Sequence, residues 1–264
     1  MAAECAAGDN SPNPITLVKD EVARHPLSNR CCLFAETAVT LRLVGTVQID
    51  RGSTRLIAGL DHAGAARRFA AAATTLTGHL PDVECSPGRG SAFRWTVRIE
   101  TGAAVLARKV GLCDGTGRPI SGIPQHVMVS AACCQVAAWR SAILAAGTLP
   151  VAAGERRLRV GCPDLPAAMS LAMLAGRVAG RARVPASGPP AVVIEAAGDV
   201  AAMLSAVGVG EALAAALVLP AGRPRTAAER LRAEQPELAP TATAVAAHRD
   251  TAPPAGGNPD RARR

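Results

Sequence analysis

One helix-length segment is written twice in this chain. Cys31-Cys32 leads, fourteen residues after Cys31, to Gly45-Thr46, and Cys133-Cys134 leads at the same spacing to Gly147-Thr148. The segments CCLFAETAVTLRLVGT and CCQVAAWRSAILAAGT stand at a constant offset of 102 residues. Self-similarity at such a distance means that one structural unit has been duplicated. In the first copy Cys32, Ala35, Val39 and Leu43 recur at helical spacing, with Ala38 and Leu41 filling the stripe. Ser28 and Asn29 stand where the helix would be capped, and Gly45 where it would stop.

The residues after each copy also repeat in pattern. After the first, Thr46 to Asp50 and Thr54 to Leu60 read as strands joined at Arg51-Gly52-Ser53. Ala63 to Thr77 reads as a helix with Asp61 as its cap and Gly78 as its stop. Val83 to Cys85 and Ala92 to Glu100 read as strands about the turn Pro87-Gly88-Arg89-Gly90. The second of these alternates cleanly, with Phe93, Trp95, Val97 and Ile99 on one face and Arg94, Thr96, Arg98 and Glu100 on the other. Ala103 to Val110 closes the unit as a helix. After the second copy come strands at 148–151 and 156–162, a helix at 167–178, strands at 181–184 and 191–195, and a helix at 200–207. A short helix around Val18 to Val22, ended by His25-Pro26, precedes the first copy. Each unit is therefore expected to run helix-strand-strand-helix-strand-strand-helix.

The 264-residue chain is 49% apolar, enough for a sizeable core, and carries a formal charge of +8. Nearly all of its positive charge is Arg, since Lys occurs only at positions 19 and 109. The charge suggests a polyanionic partner, although the richness in Arg, Ala, Gly and Pro also fits GC-rich coding. Aromatic residues are 2% with no Tyr, which argues against stacking platforms for single strands. The amino-terminal residues show no basic segment followed by an apolar one, and the most apolar run, Ala212 to Leu219, is too short to span a bilayer. A cytoplasmic chain with its eight Cys as reduced thiols is the expectation.

Val18-Lys19-Asp20-Glu21-Val22, both Cys-Cys helices, Gly117-Arg118-Pro119-Ile120-Ser121-Gly122-Ile123-Pro124, and the run from Ala138-Trp139-Arg140 to Gly147-Thr148-Leu149 stand out together. With these stretches the chain resembles the WhiA family of sporulation and cell-division transcription regulators of Gram-positive bacteria. The resemblance covers residues 16 to 215. It implies a degenerate form of the LAGLIDADG homing-endonuclease fold, in which two copies pack through their first helices beneath antiparallel strands that lie on duplex DNA. The nucleases of that fold place an acidic residue just before the glycine ending each repeat helix, to hold divalent metal. Here those positions are Val44 and Ala146. A hard cation needs oxygen ligands, and neither side chain offers one. The resemblance also implies a carboxy-terminal helix-turn-helix, which is not recognisable among the Pro-interrupted residues after Leu219.

Strand alternation supplies candidate contacts. Arg55 alternates with Leu56, Arg94 and Arg98 with Trp95 and Val97, Arg157 and Arg159 with Leu158 and Val160, and Arg181 and Arg183 with Ala182 and Val184. If the sheet faces align, these seven make one Arg-rich surface suited to phosphates and grooves. The plain alternative is a solvated sheet face in a chain whose usual polar residue is Arg. The paired cysteines lack the C-x2-C spacing of structural zinc sites, so they read as small residues packing a helix interface, although pseudo-symmetry would bring the two pairs nearer. The five His are scattered without a catalytic motif, and Gly115-Thr116-Gly117 fails the phosphate-loop templates. No cofactor, metal ligand or catalytic residue is assigned.

The expected fold is α+β: two pseudo-symmetric αββαββα halves with antiparallel saddle sheets. Residues 1–14 form a flexible leader, 15–112 the first half, 113–124 a linker, 125–219 the second half, and 220–264 a mostly disordered tail. The expected function is non-catalytic binding of duplex DNA in the cytoplasm, without membrane association. The alternative is a protein-interaction module, binding another regulator, that keeps the scaffold and has lost DNA contact.

Overall fold

The computed structural model describes residues 13–27, 29–50, 52–87, 93–152 and 155–218. The residues expected to form the carboxy-terminal tail, most of the leader and the 88–92 turn lie outside these. Helix α1 (Pro14–Arg24) starts at Asn13, whose side chain caps it, with proline in the first turn. Then come α2 (Arg30–Val44), strands β1 (Gly45–Asp50) and β2 (Ser53–Leu60), α3 (Ala63–Thr77), β3 (Asp82–Pro87), β4 (Phe93–Ile99) and α4 (Ala103–Lys109). The second half comprises α5 (Gln125–Met128), α6 (Ala132–Ala146), β5 (Gly147–Thr148), β6 (Val151–Ala152), β7 (Glu155–Arg156), β8 (Leu158–Gly161), α7 (Leu165–Val178), β9 (Ala191–Ile194), α8 (Ala197–Ala206) and α9 (Glu211–Val218).

The twin helices α2 and α6 form the most extensive pairing of elements among the described residues. Both are buried around most of their circumference, Cys32 to Leu43 and Cys134 to Ala145 being almost continuously inaccessible. That pattern is what a central helix requires, in contrast to the one-sided apolar stripe of a surface helix. Small residues, among them Ala35, Ala38, Ala138 and Ala142, sit in this core, and Trp139 is completely buried. The two charged side chains buried deepest on these helices, Glu36 and Arg140, are paired, whereas the half-buried Arg42 of α2 keeps its Nε and Nη2 without a hydrogen-bond partner among the described residues. Glu36 accepts two hydrogen bonds from Arg68 of α3, at 2.9 and 2.8 Å, and lies 3.5 Å from Arg140 of α6. Arg140 also donates to the carbonyl of Val207 at 3.0 Å. One carboxylate from the first half thus holds a guanidinium from each half.

The two sheets share one plan. In the first the order is β1-β2-β4-β3, with every neighbour antiparallel. In the second, β5-β8-β9 repeats the first three places, and Arg183 bridges Val193 at the fourth. Leu56, Ala58, Leu60, Val97 and Ile99 face the helices in the first sheet, and Leu158, Val160, Val192 and Ile194 do so in the second.

The second half departs from the sequence expectation in two places. No strand forms at 181–184. Arg183 and Val193 exchange both backbone hydrogen bonds at 2.9 Å, but the ladder cannot extend either way. The Arg181 N–H is taken by the Asp199 carboxylate, and Pro185 has no N–H to give. The strands expected at 148–151 and 156–162 are each split, because Pro150 lacks a donor and its carbonyl instead accepts from the Arg157 N–H. The cap of α3 is also corrected. His62 Nδ1 accepts from the Ala65 N–H, while Asp61 pairs with the buried Lys19 at 2.6 Å. Burial lowers the His62 pKa against the opposing pull of Asp20, which favours the neutral ring that can accept. Helices α5 and α9 are additions that the sequence pattern does not predict.

The glycines that end the twin helices act differently from the usual left-handed stop. Gly45 and Gly147 are extended, with φ of −93° and −74°. A Cβ at Gly45 would lie 2.3 Å from the Leu41 carbonyl oxygen, and one at Gly147 would lie 2.5 Å from that of Ile143. Glycine is required here by lack of room. No helix among the described residues is long and apolar enough to cross a membrane.

Removing the Glu36 carboxylate leaves two buried guanidiniums facing each other. Glu36→Ala is expected to cost about 3–5 kcal/mol, read as a drop in the urea midpoint. A midpoint unchanged from the parent would show that the cluster does not hold the halves together.

Candidate nucleic-acid interface

Strand register decides which side chains share the outer face of each sheet, because directly paired residues project to the same side. In the first sheet Arg98 pairs with Ile57 and with Asp82, Thr96 pairs with Gly59 and Glu84, and Gln48 pairs with Arg55. Arg55, Arg94 and Arg98 therefore do lie on one face, as alternation predicts. Asp50, Asp82, Glu84 and Glu100 lie on it too. Arg55 pairs with Glu100 at 3.0 Å, and Arg98 pairs with Glu84. Glu84 raises the Arg98 pKa, so that arginine is firmly charged but already partnered. Arg94 takes part in no ion pair among the described residues. Its guanidinium crosses to the neighbouring strand and lies over Gly59, where a Cβ would come within 2.5 Å of it.

The second sheet presents a more positive face. Thr148 pairs with Arg159 and Arg159 with Val193, which in turn bridges Arg183. Arg157 and Arg183 both reach Glu195. Arg157 does so at 2.7 Å, and Arg183 forks onto both carboxylate oxygens at 2.7 Å. Hydrogen bonding from Arg183, aided by the charges of Arg183 and Arg157, holds the Glu195 carboxyl below its usual range. Arg159 donates to the Pro189 carbonyl at 3.4 Å, and the exposed Arg181 has no ion-pair partner among the described residues. Four arginines here stand beside two carboxylates, Glu195 and the Asp199 that takes the Arg181 N–H, whereas three answer to four in the first sheet. Sequence alternation places Arg55, Arg94 and Arg98 on one face but does not supply their acidic neighbours. They come from other strands, and register is not readable from one strand at a time.

The helix ends beneath the sheets carry no ligand for a hard metal. Val44 and Ala146, the last residues of α2 and α6, are partly buried and apolar. At the opposite ends of the same helices, Cys31, Cys32, Cys133 and Cys134 bring their Sγ atoms within 4.8 Å of one another. Spacing alone assigns these pairs to interface packing, and their convergence is the larger finding of the structure. The signal for it is the common offset of the two Cys-Cys pairs. Burial raises the pKa of both inner thiols, Cys134 to about 11 and Cys32 further still.

No protein-family profile matches the chain. It is 38% identical over 204 residues to the cell division protein WhiA of Streptomyces avermitilis, covering 75% of this chain and 61% of that protein. It is likewise 38% identical over 170 residues to WhiA of Acidothermus cellulolyticus, covering 63% of this chain and 52% of the relative. The chain thus spans about three fifths or less of the curated relatives it matches. Among solved structures, the N-terminal LAGLIDADG domain of DUF199/WhiA superposes with a TM-score of 0.56 at 12% identity, covering 74% of this chain and 90% of that one. Full-length DUF199/WhiA from Thermatoga maritima superposes with a TM-score of 0.55 at 14% identity, covering 83% and 72%. At these identities the structural likeness establishes the fold.

The Glu195 bridges are solvent-exposed, and such pairs contribute little to folding. Glu195→Gln is expected to leave the thermal midpoint nearly unchanged, as checked by circular dichroism melting. A large fall would mean that the carboxylate organises the second sheet rather than only neutralising its surface.

Proposed function

The chain belongs to the WhiA family, matching its members over their LAGLIDADG-like region, and we propose that it binds duplex DNA without cutting it. The observation that carries this reading is the outer side of the second sheet, where Arg157, Arg159, Arg181 and Arg183 outnumber the carboxylates of Glu195 and Asp199 beside them. Flexible, solvated guanidiniums on a sheet suit phosphate contacts, which set affinity and register more than sequence choice. Arg159 and Arg181 are the leading contacts because their guanidiniums make no ion pair among the described residues. Arg94 is the matching contact on the first sheet. Arg55, Arg98, Arg157 and Arg183 contribute once phosphates compete with their carboxylate partners.

The absence of cleavage rests on Val44 and Ala146. Water activation by divalent metal needs oxygen donors at the helix ends, and these apolar side chains supply none. The protein acts in the cytoplasm as a regulator in cell division, sporulation and chromosome segregation, the roles that the family resemblance implies. Its two halves, 15–112 and 125–219, work as one platform joined by the 113–124 linker.

A protein partner is the second reading, favoured by a separate observation. The outer face of the first sheet is charge-balanced, and at the end of that sheet where β1 turns into β2, Ile49 and Leu80 are 67% and 85% exposed. An interaction module binding another regulator would use that end of the sheet.

Fluorescence anisotropy with a labelled duplex over a salt series separates the readings. DNA binding is expected at low salt. Arg159→Glu with Arg181→Glu should abolish it or flatten the log–log salt slope by about two. Glu195→Gln, which frees two arginines, should tighten it. Charge reversal of Arg94 and Arg157 together should also abolish DNA binding, while leaving capture of a protein partner untouched. No binding above background at low salt would remove the DNA reading.

A further inference from the structure

Four thiols from the two halves meet at one point. Cys31 and Cys32 are the second and third residues of α2, and Cys133 and Cys134 hold the same places in α6. All four Sγ atoms lie within 4.8 Å of one another. Across the helix pair, Cys32 and Cys134 are 4.0 Å apart, and within each pair the separations are 4.0 and 3.9 Å. Zinc held by four thiolates has Zn–S bonds of about 2.3 Å in a tetrahedron, which sets the sulfurs about 3.8 Å apart. Adjustment by at most about 1 Å, within reach of small χ1 rotations, closes the site.

We propose that Cys31, Cys32, Cys133 and Cys134 form a tetrathiolate zinc site that clasps the amino-terminal ends of α2 and α6. The donor set is entirely sulfur, which selects soft or borderline metals over magnesium and calcium. Four protein ligands leave no open position, so the site is structural rather than catalytic. A disulfide requires about 2.05 Å between sulfurs, half the distance seen across the helix pair. An iron–sulfur cluster interposes iron and sulfide between its thiolates and needs a wider cage than these nearly touching sulfurs provide.

The surroundings suit the negative charge of such a site. Both helices point their amino-terminal ends at it, and neither end carries a side-chain cap. Lys109 lines the same cleft, of about 230 Å³, as Cys31 and Cys134. Cys31 and Cys133 are exposed while Cys32 and Cys134 are buried, so the metal has a solvent-side entry and a protein-side anchor. As four S–Zn bonds form, four S–H protons pass to solvent, and uptake therefore weakens as pH falls.

The test uses the full chain, purified under reducing conditions and reconstituted with zinc alone, then measured by elemental mass spectrometry and thermal melting. About one zinc per chain is expected, with a rise in melting temperature. Cobalt(II) in its place should show the thiolate charge-transfer and intense d–d bands of a tetrahedral sulfur site. Cys31→Ser with Cys133→Ser alters only exposed side chains, so the variant should fold with an unchanged circular dichroism spectrum. It should lose the metal and its stabilisation by zinc. Substoichiometric zinc after reconstitution, a cobalt spectrum of octahedral oxygen ligation, iron with labile sulfide, or undiminished zinc in the double variant would each overturn the assignment.

Discussion

Everything in this protein hangs on the lateral contact between α2 and α6. Each sheet is built on the far end of one of these helices, through Gly45 and Gly147, so the angle between the helices sets how the two outer faces sit. Apolar packing of small residues brings the helices close but is tolerant of sliding. The Glu36 cluster is not, because a carboxylate shared by Arg68 and Arg140 has a narrow range of acceptable geometries. A buried ion cluster of this kind adds little net stability over an apolar replacement. What it contributes is register between the halves.

Duplication is plain in the sequence because it repeats both the residues and their spacing. The helix boundaries, the alternation in β4 and the inward placement of Val97 and Ile99 are readable for the same reason: each is a local pattern. The features that escape a sequence reading depend on partners distant along the chain. Asp61 has the position of a cap, but Lys19, forty-two residues earlier, claims it. The segment 181–184 has the alternation of a strand, yet Asp199 and Pro185 deny it a ladder. The arginines are visible in the sequence, while the carboxylates beside Arg55 and Arg98 arrive from strand register. The cysteines are visible as two pairs, and only the side-by-side packing of the helices gathers four thiols in one place.

The halves have diverged in different respects. The first keeps a complete four-stranded sheet and balances its surface charge. The second has a shortened, interrupted sheet and keeps a surplus of arginine. A symmetric scaffold thus carries two faces of different charge, a polarity that neither half has alone.

Gly45 and Gly147 stand next to Val44 and Ala146, and these neighbours are under different obligations. The glycines answer to the chain itself, since any side chain there collides with the turn of helix before it. The residues beside them answer only to what the protein does. The first kind of position admits one residue, while the second admits any side chain that the helix end can seat. The helix-end glycine is thus legible from the backbone alone, whereas Val44 and Ala146 carry meaning only through what the surface above them is asked to do.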